Sequence, residues 1–331
     1  MNVKKAILAT MIVSSMFVTL AGPIPAGAEA AQEQKQTDNK KVQIDKKIAA
    51  KLEKAVSEFA GKEIKLKLQD AFKHPHGIVA VESVDGDYSI DFKPETGDII
   101  NITGNQSINK VSKKDQDDLL NKLKAMYGKK TYTFHKEVQV TQSYENNKES
   151  RTFYLLKGKD FTISLMKYAP GTKDKNYIGA AVIEFDKNEL DPKLLKTAAE
   201  AVKTALDQDF DVTKAKLGYY QGMKETMWEL KGGNVTLAVE AKTGNTEYVY
   251  DISRKRVMTN KEITEKEVKE IVAPIAKKLF QMDIQGLEVQ WDNSAKDFCF
   301  VQNKDTKMTV ALDADKNVVY MFSGIRMLLE N

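Results

Sequence analysis

Chemistry in this chain would have to come from few residues. Three histidines are present, His74, His76 and His135. Two of them flank Pro75 and could offer two imidazoles to a metal, with a third from His135 if the units pack face to face. The same run, His74-Pro75-His76-Gly77, reads more simply as an exposed turn before a strand, because Pro and Gly both punctuate it. The one cysteine lies in Phe298-Cys299-Phe300, where strand alternation puts the thiol on the face opposite the two rings. No local histidine supplies a base for it, so it reads as a buried or half-buried thiol, not a nucleophile. Asp207-x-Asp209-x-Asp211 and Asp313-x-Asp315-x-Asn317 match the first three ligand positions of a calcium loop. Both then put Val212 or Val318 where the loop needs Gly, and Gly218 or Gly324 where it needs a bidentate Glu. They read as solvated turn carboxylates. A zinc-protease helix motif with paired histidines is missing, and so is a Gly-x-Ser-x-Gly elbow. The sequence therefore assigns no catalytic, cofactor-binding or metal residue. Among lysine-rich stretches such as Lys46-Lys47 and Lys113-Lys114, the densest basic run is Arg254-Lys255-Arg256, a candidate anion patch at the end of a strand.

The elements that must position these residues alternate in a regular order. Amphipathic helices are predicted from about Asp45 to Gly61, from Ser112 to Gly128, from Asp191 to Leu206 and from Thr264 to Leu279. Asp45, Ser112, Asp191 and Thr264 stand as N-caps. Glu267 completes a capping box with Thr264, and Pro192 occupies a first-turn position where its missing N–H costs nothing. Pro274 predicts a kink or break in the last helix. Each helix is followed by segments of alternating or β-branched character separated by turn signals, for example Tyr88–Phe92, Phe161–Tyr168, Val235–Glu240 and Val318–Phe322. Asp45 and Asp191 are 146 residues apart, and Gly97 and Gly244 are 147 apart, as in a duplicated pair of units. The expected fold class is α+β: four tandem units, each of one helix packed on a three- or four-stranded antiparallel sheet, arranged as two pairs. The units are assigned to 45–110, 111–189, 190–258 and 259–331.

Ahead of them, Lys4 and Lys5, the apolar run Ala6–Ala21 and the small residues Ala26–Ala30 make a secretory signal peptide over 1–30, with cleavage after Ala28 or Ala30. A polar linker covers 31–44. The apolar run is too short to be a membrane anchor, and Gly22, Pro23 and Pro25 end it. Over 331 residues, 51 Lys and Arg face 47 Asp and Glu, a net charge of +4. That balance argues against a nucleic-acid partner, which calls for a concentrated basic face. A lone cysteine forms no intramolecular disulfide, so the exported chain must be held by its core.

The closing hairpins share a text: Ser89-Ile90-Asp91-Phe92-Lys93-Pro94-Glu95-Thr96-Gly97, Leu237-Ala238-Val239-Glu240-Ala241-Lys242-Thr243-Gly244 and Val310-Ala311-Leu312-Asp313-Ala314-Asp315-Lys316-Asn317. An apolar strand ends in an acid, a short turn follows, and a new strand begins. This resembles the closing hairpin of the PepSY family and the tandem PepSY-like units of YcdB/YcdC-type repeat proteins of spore-formers. In the second unit, Ile183-Glu184-Phe185-Asp186-Lys187-Asn188 departs from the pattern by running straight into a helix. The resemblance implies binding or inhibition and carries over no catalytic residue. The expectation is a secreted or envelope-associated, non-enzymatic Gram-positive binding module. Its partner would be a protein, with an extracellular peptidase as the regulated target, or a cell-wall polymer, met through sheet-edge or sheet-face contacts. It would bind no nucleic acid and make no stable membrane insertion. The alternatives are an exported hydrolase with a carboxylate cleft between the two halves, or an envelope- or spore-associated structural protein.

Overall fold

A computed structural model describes residues 43–324 apart from 75, 76, 224 and 262. The expected signal peptide with Ala28 and Ala30, most of the expected linker, His76 and the segment 325–331 lie outside the described residues.

Among the described residues four α-helices form, α1 (Lys46–Ala60), α2 (Lys113–Met126), α3 (Pro192–Leu206) and α4 (Glu265–Leu279). Their starts are set by the side chains named above. Asp45 accepts from Lys47 N–H, Ser112 from Asp115 N–H and Asp191 from Lys193 N–H, and Thr264 and Glu267 cap each other reciprocally. Each bond satisfies an N–H that the first helical turn leaves without a partner. Gly61, at φ 70°, closes α1 in the left-handed region. Pro274 lies inside α4, which continues past it to Leu279.

After α1 come β1 (Phe72–Lys73), β2 (Val79–Glu82), β3 (Tyr88–Lys93) and β4 (Asp98–Ser107). After α2 come β5 (Glu137–Glu145), β6 (Lys148–Gly158), β7 (Phe161–Tyr168) and β8 (Tyr177–Asp186). After α3 come β9 (Lys214–Tyr220), β10 (Met227–Gly232), β11 (Val235–Glu240) and β12 (Thr246–Asp251). After α4 come β13 (Glu288–Asp292), β14 (Asp297–Gln302), β15 (Asp305–Leu312) and β16 (Val318–Ser323).

These strands correct the expectation of four separate helix-on-sheet units in two pairs. All sixteen belong to one antiparallel sheet, ordered β1 to β12 in sequence and then β16-β15-β14-β13. The joints are ordinary ladders: β4 meets β5 from Asn101↔Ser143 to Ser107↔Glu137, and β8 meets β9 from Ala180↔Tyr220 to Asp186↔Lys214. The physical reason is edge satisfaction. A four-stranded meander leaves two rows of unpaired main-chain groups, and joining edges within the chain removes them. Only the last joint is short, with three pairs from Tyr248↔Phe322 to Tyr250↔Tyr320.

The helices likewise do not keep to their own units, since α3 packs on β12 and also on β16 and α4. One core cluster includes Leu52 and Val56 of α1, Leu119 and Leu123 of α2, Val202 of α3 and Val268 and Val272 of α4, together with Phe92, Ile163, Leu237 and Phe300 of the sheet. A second, smaller cluster forms from Ala311, Val319, Tyr320 and Phe322, with Tyr248 and Tyr250 against it. It straddles the short β12–β16 joint, where the Tyr248 and Phe322 rings stack at 5.2 Å.

Candidate functional site

A sixteen-stranded open sheet has two ends, and their chemistry differs. At the first, residues 65–67 run beside the end of β2, with Lys67 N–H on Glu82 O and Val84 N–H on Lys65 O, both 2.8 Å. Strand alternation then turns the main-chain groups of Ile64 and Leu66 outward. Helix α1 meets them: Ile64 N–H donates to Ser57 Oγ at 2.9 Å and Leu66 N–H to Glu53 Oε1 at 3.3 Å. These two N–H groups are satisfied by side chains, and beside them the outermost strand of this end, β1, is exposed and only two residues long.

The other end is β13. Lys296, at φ 57°, donates its N–H to Asp292 O at 2.7 Å. The turn repeats those at Lys93–Gly97 and Glu240–Gly244, where the glycine N–H bonds the residue four back at 2.8 and 2.9 Å. In such a turn the first residue, here Asp292, points its main-chain groups into the hairpin. Gln290 and Glu288 do the same by alternation, so Val289 and Trp291 direct their N–H and C=O away from β14. Among the described residues no group bonds that outer side. The side chains alternate as well. Val289 is buried and Trp291 half-buried on the core side, the Trp291 ring lying 4.8 Å from that of Phe298. Glu288, Gln290 and Asp292 are exposed on the opposite face.

On that face lies a hollow of about 520 Å³ bordered by Glu288, Gln290, Asp292, Cys299, Lys304 and Thr306. Main-chain N–H groups of Ala295 and Ser294 hold the Asp292 carboxyl below the usual carboxylate range. Burial pushes the Cys299 thiol up, and the Asp292 and Asp297 charges add to the shift. The carboxylate is thus kept ionised and the thiol protonated, a combination suited to holding a cationic group and poor for nucleophilic attack.

The residues singled out from sequence are placed elsewhere. Arg254 donates to Val318 O at 2.7 Å and to Leu206 O at 2.5 Å, and its Nε lies 3.4 Å from Asp251. Arg256 reaches Tyr320 Oη at 3.0 Å and the buried Asp297 at 3.3 Å, and Tyr320 also bonds Asp297. Lys255 is the exposed member of the three. The run therefore staples the β12–β16 joint with its two arginines. Cys299 is half-exposed, while Phe298 and Phe300 on the other face are buried. His135 is exposed, and His74 stacks edge-on against Phe72 at 4.7 Å. Asp207 caps α3 in the left-handed region and pairs with Lys203 at 3.0 Å, while Asp211 pairs with Lys187. Asp313 accepts from Asn317 N–H at 2.8 Å within its turn. Among the described residues no group of three or more His, Cys, Asp or Glu side chains is arranged to hold a metal ion. No described helix is long and apolar enough to cross a membrane.

Sequence reading missed β13 as a site. Its alternation, Glu288-Val289-Gln290-Trp291-Asp292, is legible, but nothing local says that this strand ends the sheet. No family model and no curated protein matches the chain.

Proposed function

We propose that the chain is a secreted, non-enzymatic binding protein of PepSY-like repeat build that captures an extended segment of a protein partner on the open edge of β13. The observation that carries this reading is the asymmetry of the two sheet ends. Glu53 and Ser57 satisfy the outward N–H groups of Ile64 and Leu66 at one, where the end strand β1 has only two residues, and the outward groups of Val289 and Trp291 leave the other ready for strand addition. An added strand opposite Val289 and Trp291 makes four main-chain bonds, about 2–6 kcal/mol in total before the cost of association. That suits a segment presented by a larger partner, and the partner class we favour is an extracellular peptidase whose activity falls on binding. The hydrolase alternative draws no support from the hollow, where burial disfavours the Cys299 thiolate and the Asp292 carboxylate accepts from the N–H groups of its own turn.

The test is capture by the immobilised mature chain from culture supernatant and envelope fractions, run beside Val289→Pro. Proline there removes an outward N–H without touching the β13–β14 ladder. Circular dichroism establishes that the variant is folded. Capture of a peptidase by the parent chain and its loss in the variant is the expected outcome. Equal capture by both refutes the edge, and full peptidase activity at saturating binding refutes inhibition.

A further inference from the structure

Resting on the edge reading above, we infer that β13 selects a strand of alternating character with basic side chains two residues either side of a central polar one. The register dictates the pattern. Residues added opposite Val289 and Trp291 project to the core side of the sheet, where the half-buried Trp291 beside Val289 offers apolar surface. Residues opposite Glu288, Gln290 and Asp292 project to the face of the hollow. Directly opposed side chains in an antiparallel pair stand about 4.5–5.5 Å apart at Cβ, close enough for ion pairing. Glu288 and Asp292, both exposed and the latter held ionised, therefore favour Lys or Arg at the two outer positions. The fitting sequence is basic, apolar, polar, apolar, basic.

The same geometry disfavours pairing of β13 with the β13 of a second copy of this chain. Two β13 strands paired antiparallel with full overlap meet about Gln290, which puts Glu288 of each against Asp292 of the other. Like charges directly opposite destabilise a strand pair. The opposite sheet end is a poor substitute, because Ser57 and Glu53 already occupy the N–H groups of Ile64 and Leu66 and its end strand β1 has only two residues. The occupant is a foreign, basic, extended segment.

The test uses three labelled peptides, Lys-Val-Gln-Val-Lys, Thr-Val-Gln-Val-Thr and Glu-Val-Gln-Val-Glu, each flanked by Gly-Ser and titrated into the folded chain by fluorescence anisotropy at low and high salt. The lysine peptide is expected to bind roughly tenfold more tightly than the glutamate peptide at low salt, a gap that narrows as salt screens these exposed charges. The double variant Glu288→Lys/Asp292→Lys should reverse the order. N-methylation of the two valines should abolish binding of the lysine peptide. If the three peptides bind alike and N-methylation still blocks them, charge selection is overturned and the edge survives. If N-methylation changes nothing, or no peptide binds, the edge reading falls and the selection falls with it.

Discussion

Arg254 supports the shortest of the three joints between successive four-strand groups, and removing it gives the sharpest test of how the fold is held. The β12–β16 ladder has three residue pairs, whereas β4–β5 and β8–β9 have seven each. The guanidinium adds bonds to Val318 O at the start of β16 and to Leu206 O at the end of α3, and it pairs with Asp251 at the end of β12. Hydrogen bonds to a charged group contribute about 1.5–3 kcal/mol each. With the side chain 21% exposed, water recovers part of that in a variant, so Arg254→Ala is expected to lose roughly 2–4 kcal/mol. Arg254→Lys should lose about half as much, because an ammonium on one stem does not span two carbonyls in a fork. Urea unfolding followed by tryptophan fluorescence reads the stability. Hydrogen exchange should show the amides of β16 opening more than those of β7. A loss below about 0.5 kcal/mol, with β16 exchange unchanged, refutes the staple. Lost affinity for an anionic wall polymer at unaltered stability would return Arg254 to the anion patch.

Gly97 and Gly244 occupy matching turns at φ 65° and 76°, but a Cβ on Gly97 would meet Ile48 carbons at 3.2 Å while one on Gly244 meets nothing. Gly97→Ala should therefore destabilise by more than the ~1–2 kcal/mol that a left-handed alanine costs, and Gly244→Ala by no more than that, as measured by urea midpoints. The Glu267 carboxyl is lowered to about 2 by Lys316 and the Thr264 cap. A folded pKa below the unfolded value gives stability that is present above about 4.5 and lost as pH falls toward 2. Glu267→Gln should flatten that acid limb in unfolding curves taken from pH 5 to 2, and an unchanged limb would sink the assignment. Burial raises the Cys299 thiol above its ordinary 9.0. Labelling by a small disulfide reagent should therefore be slower at neutral pH than for a free thiol and still be rising at pH 9. A plateau below pH 8 would contradict this.

Local signals were legible because they act over a few residues. All four caps, Asp45, Ser112, Asp191 and Thr264, bond as their side-chain chemistry dictates. The matching of Gly97 to Gly244 is borne out by equivalent turns. The opposite faces of Cys299 and its flanking phenylalanines follow from strand period alone. What failed was everything lateral. Hydrophobic alternation reports which face of a strand is buried, and it is silent on which strand lies alongside. The units therefore looked separate although Asn101 pairs with Ser143 and Ala180 with Tyr220. Arg254 and Arg256 looked like solvated charge because their partners, Leu206, Val318 and Asp297, are between 41 and 64 residues away.

The reversal of the last four strands links these lateral choices to the open edge. Had β13 followed β12 in the ladder, β16 would have ended the sheet. Its sequence, Val318-Val319-Tyr320-Met321-Phe322-Ser323, is apolar on both faces, and all but the serine are buried. Such an edge is a template for indiscriminate pairing and aggregation. The long connection through α4 instead carries the chain past β16, which becomes an inner strand between β12 and β15. The end of the sheet falls to β13, a five-residue strand with an acid at each end. Short length and charge are the devices that keep an edge from pairing with its own kind. They leave the main-chain groups of Val289 and Trp291 open to a strand of opposite charge. The reversal therefore protects β16 and creates a selective edge in one step. A chain variant with Glu288 and Asp292 both neutralised should self-associate through β13 at concentrations where the parent stays monomeric, as sedimentation would show. A variant that stayed monomeric at every concentration would remove the acids from this role.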